Sequence, residues 1–228
     1  MGDGNTADRS SSGRSRGRPS LPVDRILSAA VELVDEQGAD ALSMRSLAQR
    51  LQSGTATLYR HFANRSELVS AVIDHILGEV DLDPEALTVL PWQQACISFA
   101  QHMLDALSRH GNVAVLLIEY TPVGMHALAI REVCLSVLLA NGFQGRVAAH
   151  AYAMLARYVL GFAIQLSGTA AGDSEHDARL AAAFRELDPA RYPATVAVAG
   201  DLPVPLADEF TFGLRLIVGG LEQLRLSG

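Results

Sequence analysis

The chain has 228 residues, 49% hydrophobic and 19% charged, a composition that excludes a largely disordered protein. At this length roughly 70% of the unfolded surface can be buried, so no disulfide or metal staple is needed. Its net charge of −7 argues against a nucleic-acid binder only as an average. All basic residues are arginine, and residues 1–65 carry a surplus of two positive charges while 66–228 carry a deficit of nine. The sharpest contrast is 41–65, where Arg45, Arg50, Arg60 and Arg65 meet no acid in the sequence. That distribution points to a front end that meets phosphate and a back end that does not.

In chain order, residues 1–20 are an almost wholly polar, Arg-rich stretch expected to be a disordered arm. From Val23 the spacing of Ile26, Leu27, Ala30, Val31 and Val34 predicts a first helix, which Gly38 stops. Ser43 is a candidate N-cap for a short second helix carrying Leu47, Ala48 and Leu51. Gln52-Ser53-Gly54 interrupts the pattern before a third short segment from Thr55 to Phe62. Asn64 to Glu67 has the form of a capping box, and Val69, Val72, Ile73, Ile76, Leu77 and Val80 stripe the fourth helix behind it.

Asp81 to Pro84 marks a boundary between 21–80 and 81–228. Beyond it, helical patterns cover the stretch after Pro91, then 113–120, 124–140, 146–167 and about 206–226, with one amphipathic piece around Leu180 and Phe184. No segment has strand periodicity. The expected fold is all-α, with a three-helix helix-turn-helix head joined to a larger helical domain, about nine to ten helices in all. No apolar run approaches a membrane span and no signal-peptide pattern opens the chain, so the expectation is a cytoplasmic protein with no membrane partner. Cys96 and Cys134 lie in apolar helical patterns and are expected to be reduced core residues.

Two short helices joined by a three-residue turn describe a helix-turn-helix, whose second helix enters the major groove. Its leading face offers Thr55, Thr57, Tyr59, Arg60 and His61. Threonine meets a thymine methyl, and arginine grips guanine or phosphate. Arg45 and Arg65 lie at or near helix N-termini, where phosphate also gains from exposed N–H groups. Phe62 reads as core, and Tyr59 either as core or as a hydroxyl donor to phosphate.

The runs Ser43-Met-Arg-Ser-Leu-Ala48 and Leu58-Tyr59-Arg60-His61-Phe62-Ala-Asn-Arg65-Ser-Glu-Leu68 resemble the DNA-binding domain of the tetracycline-repressor (TetR) family over about residues 22–75. The resemblance implies a homodimeric transcriptional repressor on a palindromic DNA operator, released by a small-molecule effector. It implies that Tyr59, His61 and Arg65 contact phosphates and that Thr55, Ala56, Thr57 and Arg60 face bases; Ser43 and Arg45, at the start of the second helix, are further DNA-binding candidates. The chain departs from the family in the turn: Gln52 and Ser53 stand where a glycine and an apolar residue are usual. A non-glycine residue at positive φ costs about 1–2 kcal/mol, so a shift of the turn is expected. In the arm, Arg14, Arg16 and Arg18 with Gly17 and Pro19 resemble an AT-hook. They either enter a narrow minor groove or remain a solvated tail.

The apolar helices 146–167 and 206–226 bury more than one face each, which fits a four-helix bundle shared by two protomers or a central position in a monomer. Weaker likeness to the family's regulatory domain, carried by Tyr158-Val-Leu-Gly-Phe162 and Glu209-Phe-Thr-Phe-Gly213 among others, implies a ligand pocket within about 91–167. Candidate polar lining residues are His102, Glu119, Tyr120, His126, Arg157 and Gln165, with Trp92, Phe99, Met103, Leu116 and Phe162 as apolar walls. Each has core packing as its alternative. The metal-chelating positions of the family's type member fall near Val115 and Gln165, neither suited to Mg²⁺, so no metal and no cofactor are expected. The expected ligand is apolar or aromatic with few charges. No Walker loop, HExxH, nucleophile elbow or paired carboxylate motif is present, which weighs against an enzyme. A DNA-binding regulator or architectural protein without a sensor is the remaining alternative.

Overall fold

A computed structural model describes residues 21–167 and 174–226. Twelve α-helices and two 3₁₀ turns account for its regular structure, and no strand occurs among the described residues. Arg14, Arg16 and Arg18 lie outside the described residues.

The head comprises α1 (Val23–Gln37), α2 (Met44–Arg50), α3 (Thr55–Leu58) and α4 (Arg65–Leu77). Gly38 ends α1 at φ 85°, where a side chain would be strained, and its N–H donates to the Val34 carbonyl. Ser43 caps α2 as expected: its Oγ accepts from the Ser46 N–H at 3.1 Å, while Ser46 Oγ accepts from the Ser43 N–H at 3.0 Å. At α4 the Asn64 side chain accepts from the Glu67 N–H, but Glu67 reaches back to the N–H of Ala63, one residue earlier than a capping box requires.

The turn between α2 and α3 closes on two backbone hydrogen bonds. Ser53 N–H donates to the Ala48 carbonyl (2.9 Å) and Gln52 N–H to the Gln49 carbonyl (3.0 Å), the paired bonds of a Schellman close. Gln52 therefore takes the left-handed position itself, at φ 49°. The Ser53 hydroxyl is buried without a hydrogen-bond partner among the described residues, as expected where an apolar side chain is usual. We predict that Gln52→Gly with Ser53→Ala stabilises the fold by about 1 kcal/mol and raises Tm by about 2–4 °C in thermal unfolding. An unchanged or lower Tm would refute this account of the turn.

The body contains α5 (Pro84–Val89), α6 (Trp92–Arg109), α7 (Gly111–Ala114), α8 (Met125–Ala140), α9 (Gly145–Ser167), α10 (Ser174–Arg185), α11 (Pro193–Ala197) and α12 (Leu206–Leu226). The sequence reading missed α5 and α11, which are about one turn each; both start on proline at a first-turn position. It also took 113–120 as one helix, where α7 runs into a 3₁₀ turn over Val115–Ile118. α6 lies along α9, α8 packs on both, and α12 crosses α6 and α9. One hydrophobic core runs from Ile26 of α1 through α4 into α6, α8 and α9. Head and body are joined by packed side chains at α1–α7 and by α4 against α6 and α8.

One expectation needs correction. Gly145–Leu166 is long and apolar enough by length and composition to cross a membrane. In the fold, Ala148, Ala151, Leu155, Val159, Phe162 and Ala163 are buried, so this helix spends one face on the protein's own core. Cys96 and Cys134 are buried as expected, and burial pushes each thiol up to about 12, which makes both unreactive as nucleophiles.

Candidate functional site

Two sites share α4. The first is the outer face of the helix-turn-helix. Leu58 and Phe62 are buried and anchor α3 and the turn that follows it, with the His61 and Phe62 N–H groups both donating to the Leu58 carbonyl at 2.9 Å. The anchors leave Thr55, Ala56, Tyr59 and Arg60 exposed, with Thr57 and His61 half-buried beside them. Tyr59 is 55% exposed, so it is not a core residue, and its hydroxyl is open to a partner outside the chain. Arg45, in the first turn of α2, is exposed. Neither Arg45 nor Arg60 forms an ion pair among the described residues. Ser43 spends its hydroxyl on the α2 cap.

The arginine surplus of 41–65 is smaller in space than in sequence. Arg50 makes a two-pronged bond to Glu36 (2.7 and 2.6 Å) and a third to Glu32 (3.1 Å), both from α1. The Arg50 guanidinium holds the Glu36 carboxyl below its ordinary range. Arg65, expected on the phosphate path, faces inward. Its Nε donates to the Leu42 carbonyl at 2.7 Å, Nη2 to the Ala39 carbonyl at 3.5 Å, and Nη1 to Tyr120 Oη at 3.4 Å. It clasps the segment before α2 to the body through these bonds.

The second site is a cavity of about 220 Å³ where α4, α6, α8, α9 and the 117–122 segment converge. Three of the expected lining residues reach it: Met103, Tyr120 and Arg157. The others sit elsewhere. Trp92 is buried edge-on against Phe143, Phe162 packs with Tyr158 and Phe210, and Leu116 is buried in the 3₁₀ turn. Phe99 lies with Cys96 and Cys134 around a void of about 10 Å³, too small for a ligand. His102 bonds the Ser98 carbonyl one turn back on α6 at 2.7 Å, while Glu119 and Gln165 are exposed. His126 pairs with Asp74 at 3.1 Å, facing α4.

Sequence reasoning missed Leu77, Arg131 and Tyr152 in the cavity wall. Arg131, which follows the apolar run Ala127–Ile130 of α8, was the available signal; Tyr152 read as one more residue of an apolar stripe. A broader groove of about 790 Å³ between α10 and the start of α12 is open to solvent and touches no part of the head.

Asp74 of α4 joins the two sites mechanically. Its Oδ1 accepts from the Ala127 N–H at 3.0 Å and its Oδ2 from the His126 N–H at 3.4 Å. These are the second and third N–H groups of α8, whose own cap residue, Gly124, has no side chain to offer. A carboxylate from one helix thus caps another across the head–body boundary.

Comparison with known proteins places this architecture. Residues 26–72 match the bacterial regulatory proteins of the tetR family, and 90–225 match the tetracyclin repressor-like C-terminal domain. An HTH-type transcriptional regulator of Saccharopolyspora erythraea is 32% identical over 91% of this chain and 87% of its own. The HTH-type transcriptional repressor DrrR1 of Streptomyces coeruleorubidus is 31% identical over 92% of this chain and 81% of its own. The crystal structure of the Streptomyces coelicolor TetR family protein ActR in complex with actinorhodin aligns with TM-score 0.79 and 29% identity, covering 90% of this chain and 98% of that one. The chain belongs to the tetR family of bacterial regulatory proteins and is a helix-turn-helix regulator of transcription.

Proposed function

We propose that the protein is a homodimeric cytoplasmic repressor that holds a palindromic operator and releases it when a small molecule enters the cavity, with no enzymatic step. The observation that carries this reading is that α4, a helix of the head, also reaches the cavity. Leu77 near its C-terminus lines the cavity, and Arg65 in its first turn bonds Tyr120, a second cavity residue. A ligand that displaces Tyr120 or Leu77 moves the helix on which the head is mounted. The names of two similar proteins agree with the two halves of the proposal: DrrR1 is a repressor, and ActR has been seen with actinorhodin bound.

In this reading Thr55, Ala56, Thr57 and Arg60 face bases, Arg45, Tyr59 and His61 meet phosphates, and Ser43 holds the start of α2 in place beside them. Arg65 positions the head from behind. Arg14, Arg16 and Arg18 add contacts along the neighbouring groove. The second copy docks on α9 and α12, where Phe212, Leu216 and Leu224 form an exposed apolar stripe at helical spacing and Met154 is exposed on α9. Two-fold pairing supplies the two reading heads a palindrome needs.

The test is binding of the full chain to DNA upstream of its own and neighbouring genes. A specific shift at a two-fold symmetric site, with a dimer mass in light scattering, is the expected result. Arg60→Ala should weaken it by about 10- to 100-fold and relax sequence preference, whereas Arg45→Ala should weaken all sequences alike and lower the salt slope by about one. Absence of any sequence-specific shift would refute the repressor reading.

A further inference from the structure

The cavity is one-sided in charge. Its wall includes Arg131 from α8 and Arg157 from α9, and no acid. Elsewhere Arg50, Arg109 and Arg225 each stand against a glutamate. Neither cavity arginine has a carboxylate partner among the described residues. Arg131 donates to the Pro122 carbonyl at 3.1 Å, and Arg157 only to the Ala153 carbonyl, one turn back on its own helix, at 3.2 Å. A guanidinium has five N–H donors, so most of their hydrogen-bonding capacity remains. The rest of the wall is chiefly aliphatic, with the Tyr152 ring held under Arg131 at 5.6 Å from its centroid.

Arg131 is half-buried and Arg157 exposed beside the apolar wall, and an anion delivered there gains both Coulomb attraction and charge-assisted hydrogen bonds. Two unpaired forks from adjacent helices suit a planar two-oxygen group better than a single hydroxyl. The volume of about 220 Å³ lies below the roughly 300–1,000 Å³ of drug-sized sites, which limits the occupant to one or two rings unless the walls part.

We propose that the effector of this cavity is an aromatic monoanion, an aromatic carboxylic acid, whose two charged oxygens are held by Arg131 and Arg157 while its ring lies on Tyr152 and the aliphatic wall. This rests on the cavity being the effector site, and it sharpens the expectation of a ligand with few charges to a ligand with one negative charge. Tyr120 and Thr121 line the same cavity. An occupant drawn toward the arginines therefore also contacts the residue bonded to Arg65.

The test is calorimetric titration of the full-length protein with 2-naphthoate and with its neutral isostere 2-naphthamide. The acid is expected to bind at least about tenfold more tightly, the worth of one charge-assisted hydrogen bond. Arg131→Gln and Arg157→Gln should each erode that preference, and together abolish it; Arg157→Lys should keep most of it. Equal affinity for acid and amide, with both lost on filling the cavity by Ala156→Phe, overturns the anion assignment and leaves the cavity a ligand site. Binding of neither probe, or binding that survives Ala156→Phe, overturns the cavity reading and the assignment together.

Discussion

Replacing Gly124 with alanine is expected to destabilise the protein by about 2–4 kcal/mol and lower Tm by about 5–15 °C. The backbone does not oppose the change: φ −70° and ψ 173° are open to any residue. The obstacle is space. A Cβ on Gly124 would lie 2.1 Å from Cγ and 2.2 Å from Oδ1 of Asp74. The carboxylate can move only by giving up the Ala127 and His126 N–H groups, which leaves the first turn of α8 uncapped and α4 detached from it. Asp74→Ala alone removes the cap without the clash and should cost about 1–2 kcal/mol. The double variant should therefore resemble Asp74→Ala, not the sum of the two, when unfolding is followed by circular dichroism. Additive effects would mean that Gly124 serves some purpose other than admitting Asp74. Because α8 also supplies cavity residues, both variants should bind operator DNA with a weaker response to effector.

Gly213→Ala in α12 is expected to cost about 2–3 kcal/mol, since its Cβ would fall 2.3 Å from Tyr158 Oη and 3.0 Å from Cζ. A tyrosine tip can often swing aside, but this one is held on two sides. Its hydroxyl donates to the Phe210 carbonyl at 2.9 Å, and its ring stacks on Phe210 and tilts against Phe162, at 5.3 and 5.0 Å. Burial and the nearby Glu209 raise the phenol further above its ordinary range, so it stays a neutral donor throughout the physiological pH range. Tyr158→Phe removes the atom that clashes hardest and should recover part of the loss in the alanine background, while costing about 1 kcal/mol in the wild type. Since α9 and α12 are the proposed dimer faces, sedimentation should show Gly213→Ala dissociating at higher protein concentration than wild type. A dimer of unchanged affinity would separate the α9–α12 crossing from the interface.

The arginines illustrate how far a linear reading reaches. Four basic residues and no acid between 41 and 65 give that stretch a strong positive balance in the sequence. Glu36 and Glu32, 14 and 18 residues from Arg50, come from the preceding helix and neutralise it. Arg65 is drawn inward by two carbonyls more than 20 residues earlier and a tyrosine 55 residues later. Arg45 and Arg60 keep the exposure the sequence implied, because α2 and the turn after α3 are anchored by Leu47, Leu58 and Phe62 and leave these two side chains on the outer face.

Local signals carried the head and the long helices. Caps and apolar periodicity act within about four residues, so Gly38, Ser43, Asn64 and the span 206–226 were legible directly. The one-turn helices α5 and α11 were not, since a single turn has too few residues to show a period. The cavity was not legible either, beyond its rough address. Its wall draws Leu77 from α4, Met103 from α6, Arg131 from α8 and Arg157 from α9, and no periodicity within one helix tells which of its inward residues meets a void and which meets another side chain. The sequence by itself therefore determined an all-α helix-turn-helix regulator and the surface that its head offers. Tertiary structure decided which arginines remain available and what lines the cavity, and it tied α4 to α8 through a carboxylate 53 residues from the N–H it caps. Those outcomes depend on which helices cross, at a range where backbone preference is silent and only packing and charge pairing choose.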